Sequence, residues 1–577
     1  MKSCTINKDL IQQIFLSIPL LLGIVIYPLC FHTDVYLWNI TMVFVNIFLL
    51  TIIFVCFKRK KISINLLDIL FLLFSIWYLT VYWLNTSTMD EWKIVQFVSC
   101  CFLYFYCKVY ISLYFVLVCL LCSGIIQAVW SFLQIATILP SYHYLLIGTG
   151  SFPNPAILGI FLVLSFFSGV VLYNWHSSRS YRYFVGILLV ILLIGIAFSN
   201  SRASWFALVI GCCGLIINSK WDGKLLYRHV ITIIIGIVCI GILLYILYKI
   251  RPDSVQGRWL VWQVIGNHIS EHPFLGHGEL AKQYMFLQAE WFRSYPNSPL
   301  AQFAGNTIFA FNEYLRVLFE AGIWGFVLLL CLLIVLWRYV QKGSLCCKNL
   351  VPLIIALMTF SLFSYPFEIP VLIIVGIVFV SLVSKYAQPK YTWTFKLDCW
   401  QQLGRLFIII SLFVYTLQIY IPAKKADILL KKAAYNVQVL TGKQIKNYYN
   451  LFQGNADFVI SYGTFLYDRE LYMEALPILE NACQLRPLSG FVDRLGWCYQ
   501  EAKQYKKAEK CYQEASLMVP AYILPHYRLF CLYKEMGELE KAKEKAEYLI
   551  NMSVKVVNSS VLRFRNQAKI FLEEYSD

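Results

Sequence analysis

The sequence predicts an all-α protein, in which a polytopic integral membrane bundle of about 12–13 transmembrane helices precedes a soluble helical repeat domain. The first observation is composition, because 59% of the 577 residues are hydrophobic and only 14% are charged, which excludes an ordinary soluble domain. The second is an abrupt change after Pro422, since residues 425–577 carry 21 basic and 18 acidic side chains. We therefore divide the chain into a membrane domain at 1–421 and a water-soluble domain at 425–577.

Apolar stretches of roughly 17–25 residues are long enough to cross a bilayer as helices. The sequence has thirteen such stretches, near 12–30, 37–57, 64–83, 93–107, 111–137, 155–174, 182–199, 203–218, 229–250, 314–337, 350–366, 368–386 and 404–421. The stretch 93–107 is short, so an interfacial helix is the alternative there. A large hydrophilic loop at 251–313 separates the ninth stretch from the tenth.

Basic residues in the loops predict the orientation, because cytoplasmic loops retain Lys and Arg. With the N-terminus inside, the inner loops carry seventeen Lys and Arg, whereas the short outer loops carry two, Lys93 and Arg202. The loop 251–313 and the C-terminal domain are then both expected on the outer side. The same asymmetry accounts for much of the net charge of +17, so no nucleic-acid partner is predicted.

The C-terminal domain repeats with a period of 33 or 34 residues, as Ala475, Ala508 and Ala542 illustrate. The stretch "LGWCYQEAKQYKKAEKCYQEASLMVP" (495–520) resembles a tetratricopeptide repeat, with a small residue, an aromatic residue, Ala and a terminal Pro at the expected offsets. The resemblance implies a solenoid of helical hairpins that binds a protein or peptide. The repeats would span about 455–487, 488–520 and 521–552. A domain that only caps the membrane bundle is the alternative.

The segment joining the two domains begins "PAKKAD" (422–427). Such a linker predicts that the domains share few apolar faces. Ending the chain after Pro422 is therefore expected to leave the membrane domain folded, with the repeats recruiting a partner rather than catalysing.

Two arginines stand beside apolar stretches, where a charge is costly unless it has a partner or a water phase. Arg202 interrupts "FSNSRASWFALVIG" (198–211) on the side that is otherwise almost free of cations. Arg258 lies near the start of "GRWLVWQVIGNHISEHPFLGHG" (257–278), whose periodicity predicts an amphipathic helix stopped by Pro273. For Arg202, a snorkelling interfacial side chain is the alternative to a binding role.

A polar stripe enters the tenth apolar stretch. Asn312, Arg316 and Glu320 are each four residues apart, which places them on one helix face, and Glu313 lies beside them. Charges at that depth are expected to face a cavity or a partner rather than lipid. An Arg316–Glu320 pair that merely neutralises itself is the alternative.

Metal sites are not predicted. His268 and His272 share a helical face and His277 follows, but no third ligand has convincing spacing. Most of the nineteen cysteines lie inside apolar stretches and have no ligand spacing, so we interpret them as small apolar fillers.

A glycine, proline and asparagine cluster in "GTGSFPNPAILGIF" (148–161) precedes the sixth apolar stretch and contains Asn154. Such a cluster predicts either a re-entrant turn that lines a wet cavity or an ordinary tight loop.

These segments, in this order, resemble the O-antigen ligase and polymerase family of membrane glycosyltransferases. The resemblance covers about residues 134–330 and rests on "GTGSFPNPAILGIF", "SNSRASWFALVIG", "GRWLVWQVIGNHISEHPFLGHG" and "NEYLRVLFEAGIWG". It implies a multi-pass protein of the bacterial inner membrane with a periplasmic C-terminal domain. It also implies transfer of a glycan from an undecaprenyl-diphosphate carrier to an acceptor hydroxyl on the periplasmic side, without a cofactor.

The resemblance implies that Arg202 and Arg258 hold the diphosphate, which suits guanidinium because its planar fork matches phosphate oxygens. Arg316 is a third candidate. Members of the family often carry His-Asn where this chain has Phe311-Asn312, and that histidine is the usual candidate for activating the acceptor. Either another group takes its place, with Glu313 as the first candidate, or this chain needs no such base.

His272 and Glu320 are the next candidates for the base. Asn154 and Asn312 are further polar candidates for the site.

The sequence leaves several functions possible. Within the family, the acceptor is a lipid, a protein or, for a repeat-unit polymerase, a growing glycan. A transporter or flippase for lipid-linked sugars is the competing class, although the apolar stretches show no two-fold self-similarity and Asp68, the main intramembrane carboxylate, stands alone. A membrane-anchored scaffold would not need thirteen spans.

Overall fold

The structure is a computed structural model. It describes residues 24–25, 62–85, 91–141, 148–217, 253–389, 391–395, part of 407–430 and 439–576. The predicted spans 12–30, 37–57, 229–250 and 404–421 lie wholly or largely outside these residues. The described chain is almost entirely helical, which confirms the all-α class. The strands within it are β1 (Ile62–Ile64) and β2 (Trp393–Phe395), an antiparallel pair in which Ser63 lies opposite Thr394.

Described helices of the membrane domain follow in chain order. They are α1 (Leu66–Leu84), α2 (Glu91–Tyr110), α3 (Leu113–Ile135), α4 (Pro155–Trp175), α5 (Arg179–Phe198), α6 (Arg202–Ile217), α7 (Asp253–His268), α8 (Leu280–Ser294), α9 (Glu313–Lys342), α10 (Leu345–Asn349), α11 (Val351–Ser361) and α12 (Pro370–Tyr386). Among the described residues, α1, α3, α4, α5 and α9 are long and apolar enough to cross a membrane. Helices α6, α11 and α12 are apolar but shorter.

Helix α4 lies at the centre of the membrane domain. Most of its residues are buried, and it packs against α3, α5, α6 and α11. Its start is fixed by Asn154, whose side chain accepts a hydrogen bond from the Ala156 amide at 2.8 Å, and by Pro155, whose missing N–H is harmless in a first turn. The contact with α6 is close, because a Cβ at Gly159 would lie 2.4 Å from Ser204 Oγ. This contact positions the N-terminus of α6.

Asp68, which the sequence analysis singled out as the main intramembrane carboxylate, has several polar partners, and none of those described is a second carboxylate. It pairs with Lys108 in a buried ion pair, and its carboxylate accepts hydrogen bonds from the Tyr104 hydroxyl at 2.7 Å and the Ser384 hydroxyl at 2.6 Å. Asp68 also accepts from the Asn65 amide, forming a capping box at the start of α1. The Asp68 carboxylate therefore links α1 to α2 and α12, the helices that carry its partners.

Helix α9 is broken at Gly322, where the backbone turns to φ +64° and ψ −170°. The chain segment after Pro273 inserts at this break: the His277 amide donates to the Phe319 carbonyl at 2.8 Å and the Ile323 amide donates to the Pro273 carbonyl at 2.8 Å. The unpaired backbone groups of the broken helix are thus satisfied by the outer loop. The hydrogen bonds made at this break hold the loop against the N-terminal part of α9.

The C-terminal helices form successive antiparallel hairpins. They are α13 (Val439–Phe452), α14 (Ala456–Asp468), α15 (Tyr472–Leu485), α16 (Ser489–Glu501), α17 (Tyr505–Met518), α18 (Ile523–Met536), α19 (Leu539–Asn551) and α20 (Ser559–Ser576). The recurring Ala475, Ala508 and Ala542 are fully buried. A Cβ at Gly496 would lie 2.7 Å from the Tyr512 ring, so small residues recur where paired helices approach closely.

The outer loop and the C-terminal hairpins share one apolar core, which differs from the expectation drawn from the linker. Helix α8 packs against α17, and the Gln288 amide donates to the Met518 carbonyl at 2.5 Å. Arg293 pairs with Glu514 at 2.7 Å. The loop and the hairpins therefore pack against each other as one unit.

Candidate functional site

Arg202 is the first residue of α6, directly after a tight turn from α5. Asn200 adopts a left-handed backbone in this turn (φ +50°), which asparagine tolerates better than most residues. The Ser204 hydroxyl donates to the Ala156 carbonyl at 3.2 Å and so ties the first turn of α6 to α4. The half-buried Arg202 side chain thus starts from a rigid position at the end of two membrane helices.

Arg258 is presented by α7, the loop helix. This helix ends at His268 and a 3₁₀ turn follows to Glu271, so the predicted stop before Pro273 agrees with the structure. Its Leu260, Val264 and Ile265 are buried in the core shared with the C-terminal hairpins. The side chain of Trp262 donates to the Ala310 carbonyl at 3.0 Å and holds α7 against the chain entering α9.

The structure brings Arg202 and Arg258 close enough for their charges to interact. The pKa of Arg258 is lowered to about 10, first by burial and then by the nearby charge of Arg202, while Tyr365 opposes the shift. Within the described residues, no carboxylate forms an ion pair with Arg258. Two cations held together at one place favour the binding of an anion that both can contact.

An aromatic wall flanks Arg258. Its guanidinium carbon lies 5.5 Å from the centre of the Phe311 ring. The Tyr365 ring stacks on Phe309 with centroids 3.9 Å apart and meets Phe311 edge-on at 5.5 Å. The Asn154 amide donates to the Tyr365 hydroxyl at 2.8 Å, so Asn154 caps α4 and also fixes this wall.

Arg316 lies in a different environment, within a cluster of carboxylates. It contacts Glu313 at 2.8 Å, Glu320 at 3.9 Å and Glu368 at hydrogen-bonding distance. The sequence alternative for this stripe was an Arg316–Glu320 pair that neutralises its own charge. The structure shows that pair with two further carboxylates, Glu313 and Glu368, around the arginine. Because three carboxylates surround it, Arg316 is poorly placed to bind a further anion, and a positioning role is favoured over diphosphate binding.

The predicted bases are engaged elsewhere. Glu313 accepts from the Phe367 amide at 2.8 Å through one oxygen and faces Arg316 through the other. Glu320 accepts from the Leu280 amide at 3.0 Å and from the Tyr78 hydroxyl. Both carboxylates are buried, so they tie α9 to neighbouring segments.

Asn312 is the N-cap of α9, where its side chain accepts from the Leu315 amide at 3.0 Å. It therefore begins the helix rather than extending a polar stripe down it.

The loop histidines bond mainly to the backbone. His268 Nδ1 lies 2.8 Å from the Val264 carbonyl oxygen, and His277 Nε2 lies 2.7 Å from that of His268. His277 is buried against Phe319, and burial lowers its pKa. His272 is exposed and meets the His277 ring edge-on. In the described part of the chain, no three His, Cys, Asp or Glu side chains are grouped to hold a metal ion.

An open cleft of about 820 Å³ lies beside Arg258, between the membrane domain and the C-terminal hairpins. Asn154, Arg258 and Phe311 line one part of it, and residues 553–555 line another. Lys555 donates to the Ala304 carbonyl at 2.5 Å across this boundary. The cleft thus extends from Arg258 to the C-terminal domain.

Sequence reasoning missed three residues of this region. Tyr365 and Glu368 lie in "SYPFEIP" (364–370), where polar and aromatic residues interrupt two apolar stretches, and that interruption was an available signal. Lys555 follows the last repeat in "MSVKVVNSS" (552–560), which carries no pattern that indicates a site.

The fold and the site together define an all-helical membrane protein with paired cations beside a polar cleft. Residues 187–330 match the family model described as O-antigen ligase. The matched segment contains Arg202, Arg258 and the part of α9 that includes its break at Gly322. No curated protein matches the chain. Over this part of the chain the protein is similar to O-antigen ligases, a likeness that suggests a membrane glycosyl-transfer function on a lipid-linked glycan.

Proposed function

We propose that this protein moves a glycan from an undecaprenyl-diphosphate carrier to an acceptor hydroxyl on the periplasmic side of a bacterial inner membrane. The observation that carries the proposal is the convergence of Arg202 and Arg258, whose charges interact and of which Arg258 lines the cleft. The match to the O-antigen ligase family over 187–330 supports the same chemistry. The excess of basic residues in the inner loops supports the periplasmic side.

In this mechanism the two arginines bind the leaving group. Cleavage of the anomeric C–O bond releases a lipid diphosphate, and its developing negative charge is stabilised by fixed cations that need little rearrangement. Arg202 comes from the end of a membrane helix and Arg258 from the loop helix, so they approach the diphosphate from two elements. The Phe311 ring beside Arg258 restricts the guanidinium to one region.

The acceptor hydroxyl attacks the sugar carbon opposite the leaving group. Glu313 and Glu320 hold Arg316 and the backbone around α9, so we assign them positioning roles. The exposed His272 has the weakest structural support as a base. We propose that this chain positions the acceptor and stabilises the leaving group without a dedicated base, because a phenylalanine stands where the related proteins carry histidine. The acceptor hydroxyl then gives up its proton to the departing diphosphate or to water as the new C–O bond forms.

The C-terminal hairpins have the helix order that the tetratricopeptide resemblance implies. We propose that they form such a solenoid at 425–577 and contact a protein partner or acceptor, since stacked helical hairpins recognise polypeptide. A repeat-unit polymerase is the related alternative. The glycan of a deletion strain distinguishes the two, because shortened chains indicate a polymerase and full-length glycan left on its carrier indicates a ligase.

Lysine and alanine substitutions at each arginine test the central proposal. Arg202→Ala and Arg258→Ala should each reduce transfer roughly tenfold to a hundredfold, because a charge-assisted contact contributes about 1.5–3 kcal/mol. Arg202→Lys and Arg258→Lys should recover only part of this, since lysine keeps the charge but lacks the fork. The double variant of Arg202 and Arg258 should lose less transition-state stabilisation than the two single variants added together, because both side chains contact one leaving group.

The measurement is glycan transfer at matched membrane protein levels. Arg338→Lys, at an exposed arginine of α9, is the matched control and should transfer glycan normally. Full activity in both Arg202→Lys and Arg258→Lys would remove the diphosphate role and make Arg202 an interfacial anchor, because a lysine snorkels equally well.

A further inference from the structure

The cleft beside Arg258 has the chemistry of a saccharide site. Its lining combines neutral amide and hydroxyl side chains, including Asn154, Asn306 and Thr307, with the rings of Phe303 and Phe311 and with charged side chains. Such groups donate to and accept from sugar hydroxyls, while aromatic faces pack against the C–H faces of sugar rings. A cleft of about 820 Å³ lies within the size range of small-molecule sites and accommodates more than one sugar ring.

One wall of the cleft belongs to the C-terminal domain. Ser553 and Lys555 lie in the segment between α19 and α20, and both are exposed to solvent. Lys555 interacts electrostatically with Asp253, the first residue of the helix that carries Arg258. Its ammonium group donates to the Ala304 carbonyl, which leaves two of its three hydrogens for other acceptors.

The position of the cleft next to Arg258 indicates which saccharide binds there. The sugar of a lipid-linked donor is covalently attached to the diphosphate, so it must lie next to the groups that bind the diphosphate. Arg258 lines the cleft, whereas the carboxylates around Arg316 do not contribute to its described lining. The cleft therefore fits the first sugars of the donor.

We infer that the C-terminal domain completes the donor-glycan subsite, with Lys555 as a specificity-determining residue that binds the saccharide across from Arg258. This inference rests on the proposed function and extends it, because it gives the helical domain a direct place in substrate binding in addition to any partner it recruits. It also assigns different parts of the donor to different residues. Arg202 and Arg258 bind the diphosphate, while Lys555 and its neighbours bind the sugar.

Two lipid probes separate these contributions when they are added to the purified full-length protein in detergent. One is undecaprenyl diphosphate without sugar, and the other is the undecaprenyl-diphosphate-linked glycan extracted from the source bacterium. Lys555→Ala should weaken binding of the glycan-bearing lipid about tenfold, because it removes charge-assisted hydrogen bonds to sugar oxygens, and should leave binding of the sugarless lipid unchanged. Arg258→Ala should weaken binding of both probes.

Two further variants complete the test. Lys506→Ala, at an exposed lysine of α17, is the matched control and should bind both probes like the wild type. Ser553→Trp leaves the contact between Lys555 and Ala304 in place but fills part of the cleft, so it should also weaken binding of the glycan-bearing lipid alone. This second variant keeps the test decisive if Lys555→Ala disturbs the packing of the two domains.

The outcomes are distinguishable. Equal weakening of both probes by Lys555→Ala and by Ser553→Trp would make this segment a structural tether, and unchanged binding of both probes would exclude it from the subsite; either result overturns the inference. Failure of the wild type to bind either lipid would instead contradict the proposed function.

Discussion

At the scale of single residues, Phe311 combines an unfavourable backbone conformation with a central place in the site. Its φ of +52° lies in the left-handed region, which costs a bulky residue roughly 1–3 kcal/mol. The ring contacts both Arg258 and Tyr365, and the next residue caps α9. The surrounding contacts therefore hold a strained residue next to the arginines, where the family resemblance implies a histidine.

Replacing Phe311 by histidine should increase glycan transfer. Histidine tolerates the left-handed region better than phenylalanine, so the variant should fold. The nearby cations disfavour the charged imidazole, which leaves a neutral base at pH 7 beside the acceptor. Because a well-placed base contributes about a hundredfold or more, we expect at least a roughly tenfold gain.

The gain should disappear as the pH falls through the imidazole pKa, below about 6.5. Phe311→Gln is the control, since it adds polarity without a base and should show no such pH profile. A Phe311→His rate at or below that of Phe311→Gln across pH 5–8 would contradict this interpretation.

At the scale of elements, the local sequence pattern predicted where helices such as α7 end. It did not predict the break inside α9. The stop of α7 before Pro273 followed from sequence, because proline restricts the preceding backbone. The break of α9 did not, because a single glycine in an apolar helical run is ordinary. Gly322 is needed since the 273–278 segment inserts there, and that partner lies almost fifty residues earlier in the chain. The polar face of α9 was recognised, but its partners Glu368 and Tyr78 come from distant elements.

Alanine at either glycine of this junction should destabilise the outer loop. A Cβ at Gly322 would lie 2.2 Å from the Phe274 carbonyl oxygen, and one at Gly276 would lie 2.4 Å from the Glu320 carbonyl oxygen. Both residues also have positive φ, so Gly322→Ala and Gly276→Ala should each cost more than about 1 kcal/mol. Thermal unfolding of the purified protein measures this.

The control is Gly266→Ala in α7, where a Cβ would meet no atom within 4 Å. It should leave stability unchanged or raise it by up to about 1 kcal/mol, because alanine favours a helix interior. Wild-type stability of both junction variants would show that the backbone contact between loop and helix does not form.

At the scale of the whole molecule, composition and the 33-residue period predicted two parts, and the family resemblance predicted the pairing of Arg202 with Arg258. The packing of the outer loop onto the hairpins was not predictable. It joins segments about 200 residues apart in the chain. The polar residues of α8 and α17 make these helices look solvent-exposed in the sequence, although Gln288 makes a buried contact between them. Lys555 was missed for the same reason, since only the tertiary contact places it beside the cleft.

Ending the chain after Pro422 should therefore spare membrane insertion but unfold the outer loop and abolish transfer. Met285 and Phe292 of α8 are buried in the core shared with the hairpins, and exposing each such side chain costs about 1.5–3 kcal/mol. Limited proteolysis should cleave the truncated protein between residues 253 and 311, whereas the full chain resists. Co-expression of residues 423–577 as a separate chain should restore both protection and transfer, because the shared core can reassemble. A truncated protein whose loop stays as resistant as that of the full chain would show that α8 is stable without the C-terminal domain.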